Sequence, residues 1–268
     1  MNVRFAAAIK LAVCAALVSH VVAVLAAQSP AVKQPPVESP KRILFVGNSY
    51  LYYNDSLHNH VRRMAIAGDS SLEKALQYKS ATIGGAPLAH HDVKGLLVPG
   101  RLGIKQPFDV VILQGGSSEP LSDKRRAAFR EKLIEFNGEI TKTGAKTALY
   151  MTHAYVTPHK DASADMIRKV EELYVSAGNN VGAYVIPVGL AFEEAYHQRP
   201  NIQLHKSYDG SHPDLIGTYL AASVVYASLY GKSPVGNSYD YYGKIDKETA
   251  EFLQRVADQT VRKFYGWQ

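Results

Sequence analysis

A run of four apolar residues at positions 43–46 restricts the fold of this chain more than any other segment. A strand that is apolar at every position must be covered on both faces, as central strands of parallel sheets are. Gly47 and Asn48 follow it, and both residue types tolerate a sharp turn. Ser49 therefore lies just beyond the carboxyl end of the predicted strand, where open α/β sheets bind ligands. From this stretch alone, Ser49 fits a helix cap as well as a reactive hydroxyl.

Strands and helices are predicted to alternate along the rest of the chain. The further strands are expected at residues 75–83, 110–113, 146–151 and 183–188. Amphipathic or apolar helices are expected between them and after the last one, and a helix over residues 161–177 is predicted to end at Gly178. This alternation with buried strands predicts an α/β domain, with a parallel sheet covered by helices on both faces.

The N-terminal end has the layout of an export signal. Arg4 and Lys10 supply a positive start, an apolar run covers residues 11–27, and the small residues Ala26 and Ala27 offer cleavage sites. Residues 1–27 are therefore predicted to be a signal peptide, which directs the protein to the periplasm or the exterior of the cell.

Two residues bear on how this end is processed. His20 interrupts the apolar run, which is also short for a membrane span, so cleavage is favoured over an uncleaved anchor. Cys14 lies inside the run and not at its end, which disfavours a lipoprotein. A Pro-rich polar segment at residues 28–40 then predicts an extended linker. Residues 41–268 are long enough for one domain with its own core.

Composition argues against several functional classes. The only cysteine is Cys14, so no disulfide or thiol chemistry is expected after cleavage. The formal net charge of +6 is scattered and forms no basic-aromatic stripe, which gives little support for nucleic-acid binding. Walker and dinucleotide-binding glycine loops are absent. His90, His91 and Asp92 are adjacent and would point in different directions, so no metal site is predicted. We therefore expect no cofactor.

Polar or glycine-rich loops follow the predicted strands and would gather at one edge of the sheet. Acyl transfer needs an activated hydroxyl, a base, an orienting acid and an oxyanion hole. Ser49 offers the hydroxyl. Asp209 and His212 lie three apart in a turn, so the carboxylate could hold one imidazole nitrogen while the other faces a serine. On its own, this spacing is common in turns that carry no chemistry.

The loop segments taken together resemble the SGNH (GDSL-type) hydrolases. They are Gly47-Asn48-Ser49, Gly84-Gly85, Gln114-Gly115 and Asp209-Gly210-Ser211-His212-Pro213. The resemblance extends from residue 42 to about residue 230. It implies a flavodoxin-like three-layer α/β/α sandwich with a five-stranded, mainly parallel sheet, and ester hydrolysis without a cofactor. No Gly-x-Ser-x-Gly elbow surrounds Ser49, which argues against an α/β-hydrolase.

The resemblance also implies roles for individual residues. Ser49 would be the nucleophile, His212 the general base and Asp209 the acid that orients it. The backbone N–H groups of Ser49 and Gly85 would form part of the oxyanion hole. Gly85 is preferred to Gly84 because the residues after it, Ala86-Pro87-Leu88, are similar to the short polar or apolar segment that follows the glycine in this family.

Two positions depart from the pattern of the family. Asn48 stands where the first motif usually has an aspartate, which is a mild change because Asp209 is the expected partner of His212. The third motif usually has an asparagine that completes the oxyanion hole, and Gln114 is the nearest amide donor. Gln114-Gly115 is similar to the motif of the sialate O-acetylesterase-like branch. We therefore expect Gln114 to be the third oxyanion donor.

Side chains around the predicted nucleophile bear on the substrate. Tyr50 and Tyr52 are expected to contact the substrate. Together with the predicted export of the protein, these aromatic residues favour an acylated glycan whose acyl group is acetyl. A lipid or aryl ester would suit the same residues. His153 is expected either to bind substrate or to pack as a polar wall residue. Glu119 is expected to be solvated rather than to position substrate.

Two alternatives use the same fold. One is a carbohydrate-binding module without catalysis, and the other is an O-acyltransferase that passes the acyl group to a sugar. The predicted partner is a small-molecule or glycan ester substrate. Nucleic-acid binding is not predicted, and neither is stable membrane insertion after cleavage of the signal peptide. The sequence does not predict the oligomeric state.

Overall fold

The computed structural model describes residues 29–268, so the predicted signal peptide and its cleavage site lie outside the described residues. Five parallel strands form one sheet within this range, in the order β2-β1-β3-β4-β5. The strands are β1 (Arg42–Gly47), β2 (Gln77–Thr82), β3 (Val110–Leu113), β4 (Lys146–Tyr150) and β5 (Tyr184–Ile186).

Helices cover both faces of this sheet. In chain order they are α1 (Ser49–Tyr52), α2 (Leu57–Gly68), α3 (Val93–Leu96), α4 (Asp123–Lys142), α5 (Met166–Val181), α6 (Val188–Gln198), α7 (Leu215–Tyr230) and α8 (Lys247–Tyr265). This arrangement confirms the predicted three-layer α/β/α sandwich, and every pair of neighbouring strands is parallel. None of the helices between residues 29 and 268 combines the length and the apolarity needed to cross a bilayer.

The all-apolar strand β1 is buried on both sides because its side chains alternate between two cores. Ile43 and Phe45 pack with residues of α2, α6, α7 and α8, whereas Leu44 and Val46 pack with residues of α4 and α5. All four side chains are fully buried. A continuous apolar run thus corresponds to a strand with a core on each face.

The connections around β1 create a crevice at the carboxyl edge of the sheet. The chain leaves β1 through α2 to β2 on one side, and then crosses to β3 on the other side. The loops that follow β1 and β3 therefore lead in opposite directions, and the space between them is where open α/β sheets bind ligands.

The C-terminal end of α5 differs from the sequence prediction. Gly178 does not end the helix, which continues to Val181 and is closed by Gly182 in the left-handed region (φ 66°). A Cβ on Gly178 would lie 2.4 Å from Cγ2 of Val185, a residue of β5. The glycine at position 178 is needed because the helix approaches the sheet closely there, and not because the chain turns.

The Pro-rich segment predicted as a linker lies against the domain over residues 29–40. The Asn179 side chain accepts from Ala31 N–H (2.7 Å) and donates to Ser29 O (3.0 Å). The indole of Trp267 donates to Lys33 O at 2.8 Å. This segment is thus anchored to α5 and to the C-terminal end of the chain.

Candidate active site

The turn between β1 and α1 sets the position of Ser49. Gly47 leaves no room for a side chain, since a Cβ there would lie 2.4 Å from Gln114 Oε1. The Asn48 side chain caps α1 by accepting a hydrogen bond from Tyr50 N–H at 3.1 Å. Ser49 is the first residue of α1, and 6% of its surface is exposed.

The structure brings Ser49, His212 and Asp209 together in one hydrogen-bonded chain. Ser49 Oγ lies 2.8 Å from His212 Nε2, and His212 Nδ1 lies 2.6 Å from Asp209 Oδ2. A carboxylate can only accept, so the proton of the neutral imidazole lies on Nδ1 and Nε2 accepts from the serine hydroxyl. About a quarter of each of the His212 and Asp209 side chains is exposed. Solvent and a ligand can therefore reach them.

The second carboxylate oxygen of Asp209 fixes its own turn. Oδ1 accepts from Ser211 N–H at 2.8 Å and from His212 N–H at 3.0 Å. Partial desolvation acts to raise the pKa of Asp209, but these bonds and the one from the imidazole outweigh it and lower the pKa. Asp209 is therefore ionised at neutral pH.

Gly210 makes this turn possible. It adopts φ 62°, and a Cβ there would lie 2.0 Å from the carbonyl oxygen of Val156. Val156 N–H in turn donates to Gly210 O at 2.9 Å. The turn that carries Asp209 and His212 is thus seated directly on the loop that follows β4.

Two tyrosines next to Ser49 contact this turn. The ring of Tyr53 stacks on the imidazole of His212, with centroids 4.3 Å apart and planes 13° apart. The hydroxyl of Tyr50 is 2.8 Å from Ser211 Oγ, and only 3% of Tyr50 is exposed. The expectation that Tyr50 contacts substrate is corrected, because its side chain points into the protein and holds the turn. Tyr52 is 41% exposed, and its contact with substrate stays a prediction.

His153 is fully buried behind Tyr50. Its ring stacks on Tyr50 (4.2 Å) and on Phe192 (4.4 Å), and its Nε2 donates to Ser211 O at 2.8 Å. Burial, reinforced by the nearby His205, lowers the pKa of His153 well below its usual value, so the ring stays neutral. The substrate-binding alternative is therefore wrong for His153, which is a buried polar residue that holds the same turn.

The side chain of Gln114 points to the backbone and not to the crevice. Its Oε1 accepts from Asn48 N–H at 2.9 Å, its Nε2 donates to Gly115 O, and the residue is fully buried. Because the side chain is fully buried and its carboxamide bonds to backbone groups, Gln114 is not placed as the third oxyanion donor. It supports the turn that carries Ser49.

The two backbone donors expected for the oxyanion hole are open. Within residues 29–268, neither Ser49 N–H nor Gly85 N–H has a hydrogen-bond acceptor. Gly85 adopts φ 67° in an exposed turn, and a Cβ there would meet nothing within 4 Å. These N–H groups are therefore available to a ligand, and their role as oxyanion donors stays a prediction.

Asn48 ties the loop after β2 to the turn after β1. Its Nδ2 donates to Ala86 O at 3.1 Å, and only 3% of the residue is exposed. An aspartate, the usual residue in the resembling family, could not donate to this carbonyl. The departure at position 48 therefore adds a contact that holds the loop containing Gly85.

Glu119 is a functional candidate that the sequence prediction missed. It was expected to be solvated, but it is 5% exposed. Its Oε1 accepts from Leu88 N–H (3.0 Å) and its Oε2 from Gly116 N–H (2.8 Å). The available signal was the pair Gly115-Gly116, since a Cβ on Gly115 would lie 2.1 Å from Glu119 Oε2. Glycines shortly before an acid leave room for its carboxylate to fold back.

A metal centre finds no support in the described part of the chain. Across residues 29–268, no three His, Cys, Asp or Glu side chains are grouped so that they could hold a metal ion. His91 is buried, and its Nε2 has no hydrogen-bond partner within the described part of the chain; it lies beside a small cavity of about 250 Å³ that is also lined by Asp92 and Arg101.

Comparisons with known proteins show what this fold is similar to. No protein-family model matches the chain, and no curated protein does. A DUF4886 family protein from Bacteroides uniformis shares 19% identity over 85% of this chain and 96% of its own, with a TM-score of 0.63. A protein from Slackia heliotrinireducens, proposed to be an SGNH hydrolase, shares 23% identity over 71% and 99% (TM-score 0.57). The acetyl xylan esterase AlAXEase shares 14% over 70% and 98% (TM-score 0.55). These similarities show a common fold.

Proposed function

We propose that this protein is a serine esterase of the SGNH type that hydrolyses carboxylic esters through an acyl-enzyme. The observation that carries the proposal is the hydrogen-bonded chain from Ser49 Oγ to His212 Nε2 (2.8 Å) and from His212 Nδ1 to Asp209 Oδ2 (2.6 Å). It lies at the carboxyl edge of the sheet, beside backbone N–H groups that have no acceptor among residues 29–268. A nucleophile, a base, an orienting acid and electrostatic donors are the parts that acyl transfer requires.

The reaction proceeds in two halves. In the first, Ser49 Oγ attacks the ester carbonyl while His212 Nε2 takes its proton, and Asp209 stabilises the imidazolium that forms. The carbonyl oxygen becomes an oxyanion that accepts from Ser49 N–H and Gly85 N–H. The bond to the alcohol then breaks, and His212 gives its proton to the leaving oxygen. In the second half, water attacks the acyl-enzyme by the same steps and releases the acid.

The stacking of Tyr53 on His212 suits this proton transfer. The face of a phenol ring attracts a cation, and the two ring centroids are 4.3 Å apart. The imidazolium is thus stabilised relative to the neutral base at the moment when Ser49 attacks.

We propose an acetylated glycan as the substrate class. The rim around Ser49 carries exposed aromatic side chains, with Tyr52 at 41% and Tyr208 at 68% exposure, and sugar rings stack on such faces. The fold is also shared with an acetyl xylan esterase. Comparing acetylated oligosaccharides with long-chain esters tests this class, and a strong preference for long acyl chains would overturn it.

A short-chain nitrophenyl ester tests the reaction itself. The wild-type protein is expected to release nitrophenol and to be labelled by a fluorophosphonate at Ser49, and Ser49→Ala to lose both. A drop of about 10⁴-fold or more is typical of removing such a nucleophile. Ser70→Ala, an exposed serine in the loop between α2 and β2, is the matched control and should behave as wild type. Absence of turnover and labelling in the wild type would favour the binding-module alternative.

We also propose that the protein acts outside the cytoplasm after removal of residues 1–27. N-terminal sequencing of the protein recovered from the periplasm or the medium tests this, with a start at residue 27 or 28 expected. Recovery of the intact N-terminus in a membrane fraction would contradict it.

A further inference from the structure

The loop formed by residues 84–88, which contains Gly85, has two side-chain anchors. On one side, Asn48 Nδ2 donates to Ala86 O at 3.1 Å. On the other side, Leu88 N–H donates to Glu119 Oε1 at 3.0 Å. The position of Gly85 N–H relative to Ser49 therefore depends on a carboxylate that belongs to the loop after β3.

Glu119 joins two separate loops through its two oxygens. While Oε1 holds Leu88 N–H, Oε2 holds Gly116 N–H at 2.8 Å. Gly115 lacks the Cβ that would lie 2.1 Å from Oε2 and crowd this carboxyl group. The carboxylate is therefore a clamp between the loop after β2 and the loop after β3.

This clamp requires the ionised form of the side chain. Both partners are N–H donors, so both oxygens must accept, which a carboxylate does well at both positions, whereas the hydroxyl oxygen of a protonated carboxyl group is a weaker acceptor. A protonated carboxyl group, or a glutamine of the same shape, presents a donor to one of the two N–H groups. One anchor is then weakened in the protonated form and lost in the glutamine variant, and the loop containing Gly85 is freer to move away from Ser49.

We propose that Glu119 is a positioning residue for the oxyanion hole, and that its carboxylate form sets the distance between Gly85 N–H and the acyl carbonyl. This inference rests on the proposed esterase function and assigns to that site a residue outside the Ser-His-Asp chain. Glu119 acts through the loop and does not contact the reacting atoms.

Glu119 is expected to gain and lose its proton near neutral pH. Burial raises its pKa to about 7, against which the two backbone N–H bonds act. The titratable groups on the helices packed around it are Tyr174 of α5, whose hydroxyl accepts from Gly115 N–H, and Arg126 of α4, which pairs with Glu172. The clamp is therefore expected to tighten as the pH rises through neutrality.

The variant Glu119→Gln tests the clamp, because it resembles the protonated residue at every pH. At pH 8.5 we expect kcat to fall by about 10- to 100-fold with KM nearly unchanged, which is less than the roughly 100- to 1000-fold loss of a whole oxyanion donor because the donor is displaced and not removed. At pH 5.5 the wild type is itself protonated at Glu119, so the ratio of wild-type to variant kcat should approach one. A purely structural lesion would lower activity equally at both values.

Glu171→Gln is the matched control. Glu171 is a partly buried glutamate whose pKa is also raised by burial, but it lines a cavity between α5, α6 and α8. It should leave the pH profile of kcat unchanged. Thermal unfolding at both pH values establishes that each variant is folded.

A second measurement keeps the inference testable if Glu119→Gln does not fold. ¹³C NMR of the wild-type protein with labelled glutamate carboxyl groups should show one glutamate titrating near neutrality. Titration of every glutamate in the usual range would overturn the inference, as would equal kcat for Glu119→Gln and wild type at pH 8.5. If the wild type neither turns over esters nor is labelled at Ser49, the esterase proposal itself fails and this inference with it. If the wild type is fully labelled at Ser49 but kcat of Glu119→Gln is unchanged, the esterase proposal stands and only the role of Glu119 is refuted.

Discussion

The candidate site has two layers that differ in exposure and in what their side chains bind. The front layer is Ser49, Asp209 and His212, whose side chains bind one another and, for Asp209 and His212, are about a quarter exposed. The back layer comprises the buried polar side chains that hold backbone groups: Asn48, Gln114, Glu119 and His153. The front layer supplies the groups for chemistry, and the back layer sets where the loops that carry them lie.

Two histidines illustrate this difference most clearly, since His212 belongs to the turn at residues 209–213 and His153 contacts it. His212 has a carboxylate on one nitrogen and a serine on the other, which suits a base that gains and loses a proton. His153 lies between two aromatic rings, is fully buried, and stays neutral. The partners and the exposure of a histidine, and not its residue type, decide which of the two roles it has.

The largest effect is expected for a change in the front layer. Asp209→Asn leaves the shape of the turn but removes the charge that stabilises the imidazolium, so kcat should fall by about 10³- to 10⁴-fold. Nitrophenyl ester kinetics at pH 8 measure the loss. Asp240→Asn, which changes an acid in the loop before α8, is the control. A loss of less than about 10-fold would mean that His212 does not depend on this carboxylate.

His153→Phe should lower kcat less than Asp209→Asn does, and it should also change how the free energy of unfolding depends on pH. Phenylalanine keeps the stack with Tyr50 and Phe192 but leaves Ser211 O without its donor, so kcat should fall by about 10-fold. His197→Phe, an exposed histidine at the end of α6, controls for general effects. An unchanged kcat would show that the turn does not need this bond.

The sign of the stability effect follows from the pKa of the buried histidine. His153 has a folded-state pKa well below 6.5, so the stability it contributes is present above that pH and lost on acidification. Each such histidine lowers the free energy of unfolding by up to about 1.4 kcal/mol for each pH unit below its unfolded-state pKa. His205, with a pKa lowered to about 4 by burial, adds a second such term. His153→Phe should flatten the decline in unfolding free energy between pH 6.5 and 5, and an equally steep decline would contradict this assignment.

The smallest effect is expected for Asn48→Asp. The carboxylate can still cap α1, but it cannot donate to Ala86 O, so the loop containing Gly85 loses one of its two anchors. We expect kcat to fall by about 3-fold, the value of one modest hydrogen bond. Combining this change with Glu119→Gln should lower kcat by more than the product of the single effects, because the two side chains hold the same loop. Strict additivity would indicate that the anchors act independently.

The sequence was informative for the front layer because Ser49 directly follows a strand whose burial is encoded locally, and because Asp209 and His212 share one short turn. The apolar run before Ser49 and the Asp-x-x-His turn are patterns within a few residues. The back layer depends on which backbone groups lie opposite one another after the loops have packed, and no local pattern encodes that. Gln114 was correctly located after β3, but its partners, Asn48 N–H and Gly115 O, could not be inferred from its amide chemistry. Gly178 was misassigned for a related reason, since its close approach to Val185 is a tertiary contact.

The seating of Gly210 on Val156 has a practical consequence for protein engineering. The backbones at Gly210 and Val156 are in contact, and a Cβ on Gly210 would lie 2.0 Å from the carbonyl oxygen of Val156. The conformation of each loop therefore fits only that of the other. A graft that transfers the turn at residues 209–213 to another scaffold must carry residues 153–158 with it. Laboratory evolution for new substrates should likewise diversify these two segments as a pair, because a library that varies only one of them will mostly sample loops that do not fit.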